Sequence, residues 1–384
     1  MNGALTGITV LEFASYVSGP YAGMLLADFG AEVIKIEAPG RGDPFRHWGS
    51  EAYSPTFEAL NRGKKSITLD LRSEDGRAAA ARLAARADVV IDNFRHGVLA
   101  RLGLDYDRLA AANPRLVHCA ITGFGASGPY RDWPGYDTVG QAMSGLLSLL
   151  TERDAPQPMG FSFADHLAGT AAFQGIMAAL FARERTGKGQ KIETSLLEAA
   201  IAFIGENACR FFYDGRTPDR ARRTHIAQVY VFLDRAGRPF VIHLSSPPKF
   251  WEGLLRVVGH PEWQADDRFR NRADRIRNYD ALQAELARVF ATDDRDAWLE
   301  RLRAADVPAG PLYDLAEVFA DAQVRHLGMR LELDHPTEGK VAMVRNGVRM
   351  SATPPEIRSP APGLGQHNAE ILGISDTSGA RSAR

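Results

Sequence analysis

The feature that most constrains this chain is a regular alternation of short β-rich runs with helical patterns through its first third. Residues 8–13 (ITVLEF) read as a buried strand, Gly19-Pro20 opens a helical pattern ended by Gly30, and residues 31–37 (AEVIKIE) read as a second strand. Strand, helix and strand over so short a distance make a βαβ unit, which predicts parallel pairing. The alternation continues through SITLDL, EDGRAAAARLAARA and DVVIDNF, short helical pieces at 98–102 and 106–112, and the strand RLVHCAITGFG. The expected fold class is α/β, with a Rossmann-like open, doubly wound parallel sheet as the large domain.

That architecture raises dinucleotide binding, which the motifs disfavour. The turn after the first strand, ASYVSGPYAG, lacks the Gly-x-Gly-x-x-Gly that lets a pyrophosphate approach a helix start. A Walker loop and a His-Glu-x-x-His are also absent. The chain has 384 residues, enough for two domains, with 45% hydrophobic and 24% charged residues. A net charge of −1 gives no electrostatic footprint for nucleic acid or an anionic membrane. The two cysteines, Cys119 and Cys209, lack metal-ligand spacing, and no run approaches a membrane span or a signal peptide. These patterns predict a cytoplasmic protein with no metal, no nucleic acid and no membrane among its partners.

Further along, PGYDTVGQAMSGLLSLL is a turn followed by a helix, with Tyr136 and Asp137 at its start. In 160–190 a single Asp165 stands at the mouth of a long apolar helix that ends at a Thr-Gly-Lys-Gly turn. Two readings of Asp165 stay open: a helix N-cap, or a carboxylate nucleophile. Asp137 carries the same ambiguity between cap and function. Residues 1–209 are expected to form the large domain and 210–223, polar and with five arginines, a linker. Residues 224–326, opening on the hairpin pattern VYVFLDRAGRPFVIHL, form a small α/β domain. The segment 327–384 returns to the large domain, its last residues, SDTSGARSAR, frayed.

Several separated motifs together resemble the class III CoA-transferases, the family of formyl-CoA transferase, carnitine CoA-transferase and α-methylacyl-CoA racemase. They are GITVLEFASYVSGPYAGMLLADFGAEVIKIE, NRGKKSITLDL, ADVVIDNFRHGVLARLGLDY, GFGASGPYRDWPGYDTVGQAMSG, ADHLAGTAAFQGIMAALFARERTGKGQ and GLGQHNAEIL, in the family's order and over nearly the whole length. The resemblance implies a catalytic role for Asp165, which would attack an acyl-CoA thioester, form a mixed anhydride and then carry CoA as an aspartyl thioester. A dipole at the helix start would keep that carboxylate ionised, and apolar Phe161, Phe163 and Leu167 would exclude water. It also implies coenzyme A as substrate, with no permanent cofactor, and an interlocked homodimer.

In the racemase branch the triplet is Gly-His-Asp, whereas this chain has Gly135-Tyr136-Asp137. Tyr is a far weaker base near neutral pH. The region that would supply the racemase Glu reads HLSSPPKFW and has none. Transfer is therefore expected, with Tyr136 and Asp137 beside the nucleophile. The alternatives are an acyl-CoA racemase or epimerase and a CoA-binding protein without chemistry. Carried over by resemblance, the backbone of Val17 and Ser18 would meet the thioester end of CoA. Leu69 and Arg72 would meet the adenine and a phosphate, and Asn93, Phe94, Val98 and Arg101 would line the nucleotide. Without the resemblance, Arg72 and Arg101 read as surface residues. Ala38 stands where some relatives carry a basic residue, and 224–245 contains only Gly237 where formyl-CoA transferase has a Gly-rich loop. A bulkier acid than formate or oxalate is expected. The arginines of 210–223 suggest a dicarboxylate acceptor with succinyl-CoA as donor.

Overall fold

The computed structural model describes residues 3–49 and 54–373, so SDTSGARSAR lies outside the described residues. Contacts divide the chain into two units. The first runs to Leu147, over Gln157–Tyr213, and again from Leu327; the second comprises Ser148–Pro156 and Asp214–His326.

Six strands organise the first unit: β1 (Thr9–Phe13), β2 (Glu32–Glu37), β3 (Lys65–Thr68), β4 (Val89–Asp92), β5 (Val117–Thr122) and β6 (Lys191–Ser195). All pair in parallel, in the order β3-β2-β1-β4-β5-β6. The expected open, doubly wound sheet is therefore present. Helices α1 (Ser18–Asp28), α2 (Pro55–Asn61), α3 (Glu74–Ala84), α4 (Val98–Arg101) and α5 (Tyr106–Ala112) connect successive strands. Helices α6 (Asp137–Met143) and α7 (Phe163–Thr186) precede β6, and α8 (Leu196–Phe203) and α9 (Gly205–Asp214) follow it. Strand order reverses between β1 and β4, and in open α/β sheets the crevice beyond the strand ends at such a point is the usual ligand site.

Strands β1, β2, β4 and β5 are buried along most of their length and read as mainly apolar runs, whereas Lys191 and Glu193 of the edge strand β6 are exposed. Leu11, Phe13, Ile34, Ile67, Val90 and Leu116 form one core with residues of α3 and the following loops. Each such side chain stabilises the fold by roughly 2 kcal/mol through removal from water. Charges are buried beside it. Lys35 Nζ lies 3.0 Å from Glu12 Oε1 and 2.8 Å from Asp43 Oδ2, and Lys64 Nζ lies 2.8 Å from Glu12 Oε2, with all four side chains fully enclosed. Gly23 of α1 leaves the room this needs, since a Cβ there would stand 1.9 Å from Glu12 Oε2.

In the second unit, α10 (Arg220–Ala227) leads into β7 (Val229–Leu233) and β8 (Pro239–His243), the antiparallel hairpin anticipated from Asp-Arg-Ala-Gly. Helices α11 (Pro248–Val258), α12 (Arg272–Arg277), α13 (Tyr279–Phe290) and α14 (Arg295–Ala304) and strand β9 (Ala309–Pro311) complete it around Phe232, Phe240, Phe290 and Trp298. Residues 210–223, expected as a linker, instead hold the end of α9 and the start of α10, with only 215–219 outside helices. The second unit begins earlier than residue 224 and takes in Ser148–Pro156, where Glu152 Oε1 accepts a 2.7 Å hydrogen bond from Arg220 Nε. The chain then returns to the first unit as the antiparallel pair β10 (Arg330–His335) and β11 (Gly339–Val344). Asn368, in a closing helical turn, pairs with Thr68: its Oδ1 accepts from the Thr68 N–H at 2.8 Å.

Candidate active site

Asp165 lies in the first turn of α7, but it is not the cap. The N-cap position is Ser162, whose side chain makes no capping bond. The missing acceptor comes from another helix: Asp137 Oδ1 accepts the Asp165 backbone N–H at 3.2 Å. Asp137 is in turn held through its Oδ2 by Gln141 Nε2, which also donates to the Phe161 carbonyl at 3.1 Å. Asp137 thus satisfies an orphan donor of α7 from outside that helix, and the Asp165 carboxylate is left for other use.

That carboxylate is half-buried. Burial, and then the nearby Asp137 charge, push it up to about 7, against the opposing hydrogen bond from the Ser18 hydroxyl. The helix dipole expected to keep it ionised is opposed here by desolvation and by the like charge of Asp137, both of which favour the protonated acid. No ion pair joins a cation to Asp165 among the described residues.

Asp165 lines a cavity of about 250 Å³ with Ser15, Tyr16, Ser18, Asn93, Tyr136 and Leu196. These residues follow the C-terminal ends of β1 and β4 or begin α6, α7 and α8, so the cavity sits at the topological switch point. Arg95, His96, Arg131 and Trp133 also line it, and among the described residues Asp165 is its only carboxylate. The turn after β1 is held firmly. Ser15 donates its N–H to Asn93 Oδ1 at 3.1 Å and accepts from Asn93 Nδ2 at 2.7 Å. Tyr16 adopts φ +64°, a costly conformation for a bulky residue. Asp43 Oδ1 accepts its N–H at 3.3 Å, and its ring stands edge-on to Phe45 and Tyr136. Burial and then the neighbouring Tyr136 raise the Tyr16 phenol above its ordinary range. Tyr136 itself is exposed.

A larger groove of about 710 Å³ shares Ser15 and Phe94 with this cavity and runs past Ala38, Arg41, Asp43, Leu69 and Arg72. The residues singled out in the sequence therefore separate. Ser18, Asn93, Phe94, Tyr136 and Asp165 meet at the cavity, while Leu69, Arg72 and Phe94 line the groove. Arg72 is exposed and paired with Asp70 at 2.9 Å. The Val17 side chain packs into a core with Phe45, Phe57 and Leu60. Val98 is half-buried and Arg101 exposed on α4, and neither lines the cavity or the groove. Phe161, Phe163 and Leu167 are not on the cavity wall; its apolar surface comes from Phe94, Ile121, Trp133 and Leu196. In the arginine-rich stretch, Arg220 is paired with Glu152 and Arg222 with Asp214.

Sequence reading missed Tyr16, Arg95, His96, Arg131 and Trp133. Arg95 and His96 directly follow Asn93-Phe94 beyond β4, and their place after a parallel strand was the available signal. Nothing in the sequence marks the left-handed backbone of Tyr16. Among the described residues no cluster of His, Cys, Asp or Glu could hold a metal ion, and no helix is long and apolar enough to cross a membrane.

The model of CoA-transferase family III aligns with residues 5–368, and the chain belongs to that family. It is 36% identical to succinate–glutarate CoA-transferase of Agrobacterium fabrum, covering 97% of this chain and 96% of that protein. It is 37% identical to acetyl-CoA:oxalate CoA-transferase of Acetobacter aceti, covering 96% and 95%. A solved CAIB/BAIF family protein from Brucella suis superposes with a TM-score of 0.86 at 38% identity, over 97% of this chain and 99% of that one. The protein is an enzyme that transfers CoA.

Proposed function

We propose that this enzyme moves CoA from an acyl-CoA thioester to a carboxylic acid, with Asp165 as the covalent carrier. One observation carries this reading: among the described residues the switch-point cavity has a single carboxylate, without an ion-pair partner, and burial and the Asp137 charge push it up to about 7. Such a group is ionised in part at neutral pH and, being poorly solvated, is a better nucleophile than an exposed aspartate.

An Asp165 oxygen attacks the thioester carbonyl, the C–S bond breaks, and CoA leaves as thiolate from a mixed anhydride. The thiolate then attacks the aspartyl carbonyl and expels the first acid as a carboxylate. The carboxylate of the second acid displaces the thiolate from the aspartyl thioester, giving a second anhydride. Attack of the thiolate on the acceptor's acyl carbon restores Asp165. Each step conserves charge and needs no external oxidant or proton donor. The apolar wall of Phe94, Ile121, Trp133 and Leu196 protects the two anhydrides and the aspartyl thioester from water.

The groove running past Leu69 and Arg72 would take the nucleotide end of CoA, and its sharing of Ser15 and Phe94 with the cavity supports a path for the thiol arm between them. Arg95 and Arg131 supply positive groups for a second carboxylate on the substrate acid. Of the acids in the names of the two relatives, succinate, glutarate and oxalate are dicarboxylates, and the acetyl group of the second is the one monocarboxylate. We infer in the same way an interlocked homodimer working in the cytoplasm, from the resemblance and the composition. Tyr136 in place of a basic histidine argues against racemisation.

The test is transfer from succinyl-CoA or acetyl-CoA to a panel of mono- and dicarboxylates in deuterated water. Dicarboxylates should be the better acceptors, with no deuterium at the α-carbon. Clear preference for monocarboxylates would refute the acceptor class, and α-deuteration without transfer would establish the racemase instead.

A further inference from the structure

The two oxygens of a nucleophilic carboxylate must be held in one orientation, and the source of that restraint at Asp165 is not on its own helix. Asn93, just beyond β4, is fixed by Ser15. Its Oδ1 accepts from the Ser15 N–H at 3.1 Å and its Nδ2 donates to the Ser15 carbonyl at 2.7 Å. Turning the amide over would set oxygen against oxygen and N–H against N–H, so its orientation is determined. The other Nδ2 hydrogen points to Ser18 Oγ, at 3.3 Å. A hydroxyl has one proton, and with its oxygen accepting from Asn93 that proton is free to turn to the Asp165 carboxylate, which lines the same cavity and whose ionised form the Ser18 hydroxyl favours. The helices are close enough for this because residue 169, one turn beyond Asp165, is glycine: a Cβ there would stand 2.6 Å from the Ser18 carbonyl oxygen.

We infer that Ser18 and Asn93 are positioning residues for Asp165, with Asn93 setting the direction of the Ser18 hydroxyl and that hydroxyl holding the carboxylate in its attacking orientation. This assignment rests on Asp165 being the nucleophile, and it gives both side chains a role separate from contact with CoA. A hydroxyl donor also favours the ionised acid, opposing burial and Asp137. The other ionisable groups facing the site are Tyr16 and Arg95 and His96 in the loops after β1 and β4, and Arg131 and Tyr136 ahead of α6. On α7 itself His166 is turned to the Ser162 carbonyl at 2.7 Å, and Glu198 of α8 is held by the Ser195 hydroxyl at 2.6 Å.

The test is a carbon-13 NMR titration of the aspartate carboxyls in the full chain, with the Asp165 signal assigned by its loss in Asp165→Asn. Ser18→Ala should raise the Asp165 midpoint by about one pH unit, as a lost hydrogen bond to a charged group implies. Ser18→Thr, which keeps the hydroxyl, should leave it near its original place, and Asn93→Ala should raise it less than Ser18→Ala does. In the transfer assay Ser18→Ala should lower kcat about tenfold at pH 7, with KM for acyl-CoA little changed and most of the rate regained at pH 9. An unmoved midpoint in Ser18→Ala, or an equal rise in Ser18→Thr, would overturn the assignment. Should Ser18→Ala fail to fold, Ser18→Cys, a weaker donor of similar size, must show a rise in the same direction. A midpoint that moves in a protein with no transfer activity would refute the proposed reaction and leave the positioning intact.

Discussion

The first unit holds two sets of charges withdrawn from water, and they are treated in opposite ways. Beneath the turn after β1, Glu12, Lys35, Lys64 and Asp43 are enclosed and paired at 2.8 to 3.0 Å. The Ala14 and Pro20 carbonyls accept further bonds from the two lysines. Burial opposes the charge on Lys35, but Glu12 and Asp43 overcome it and hold the ammonium above the ordinary lysine range. At Asp165 no cation answers the carboxylate; its strongest charged neighbour is another acid, and it rises to about 7. The paired set is scaffold: Asp43 reaches from it to the Tyr16 N–H and fixes the turn that forms the cavity. The unpaired acid is the carrier proposed above. Pairing keeps Lys35 charged, while burial still pulls Lys64 of the same set down to about 8.

Breaking the compensated set has the larger effect on stability. Lys35→Met leaves Glu12 and Asp43 facing each other without their shared cation, and should cost about 3–5 kcal/mol in denaturant unfolding. A loss under about 1 kcal/mol would mean that the cluster is not the support described. Asp165→Asn should act with the opposite sign. A carboxylate raised from 3.8 to about 7 binds more protons folded than unfolded within that window. Wild-type stability therefore falls as pH rises through it, with the full penalty present above pH 7. Removing the charge should stabilise the protein by roughly 1–3 kcal/mol at pH 8, after allowance for solvent screening at a half-buried group, and by almost nothing at pH 3.5. An equal effect at both pH values would show that the asparagine acts through packing and not through charge.

The sheet was legible because strand and helix periods alternate clearly in 8–122, and buried parallel strands leave continuous apolar runs. The hairpin of β7 and β8 was legible from its turn residues. The site was less so. An acid at the start of a helical pattern reads as its cap, but the acceptor for α7 comes from Asp137, distant in sequence, and no local pattern contains that bond. Resemblance, not periodicity, singled out Asp165. Tyr16, Arg95, His96, Arg131 and Trp133 lie in turns and loops, where hydrophobic periodicity carries no information and only the folded sheet brings them together. The stretch 210–223 reads as a linker from its polarity, yet Asp219 caps α10 by accepting the Arg222 N–H at 2.6 Å. Capping chemistry outweighed composition there.

The most direct test of Asp165 as covalent carrier is the intact and peptide mass of the enzyme after brief incubation with succinyl-CoA and other acyl-CoA thioesters. The account predicts a CoA or acyl adduct confined to the peptide that carries Asp165, released by hydroxylamine and absent in Asp165→Asn. An enzyme that binds and turns over its thioester with no such adduct under rapid quench, or with the adduct on another residue, would contradict it.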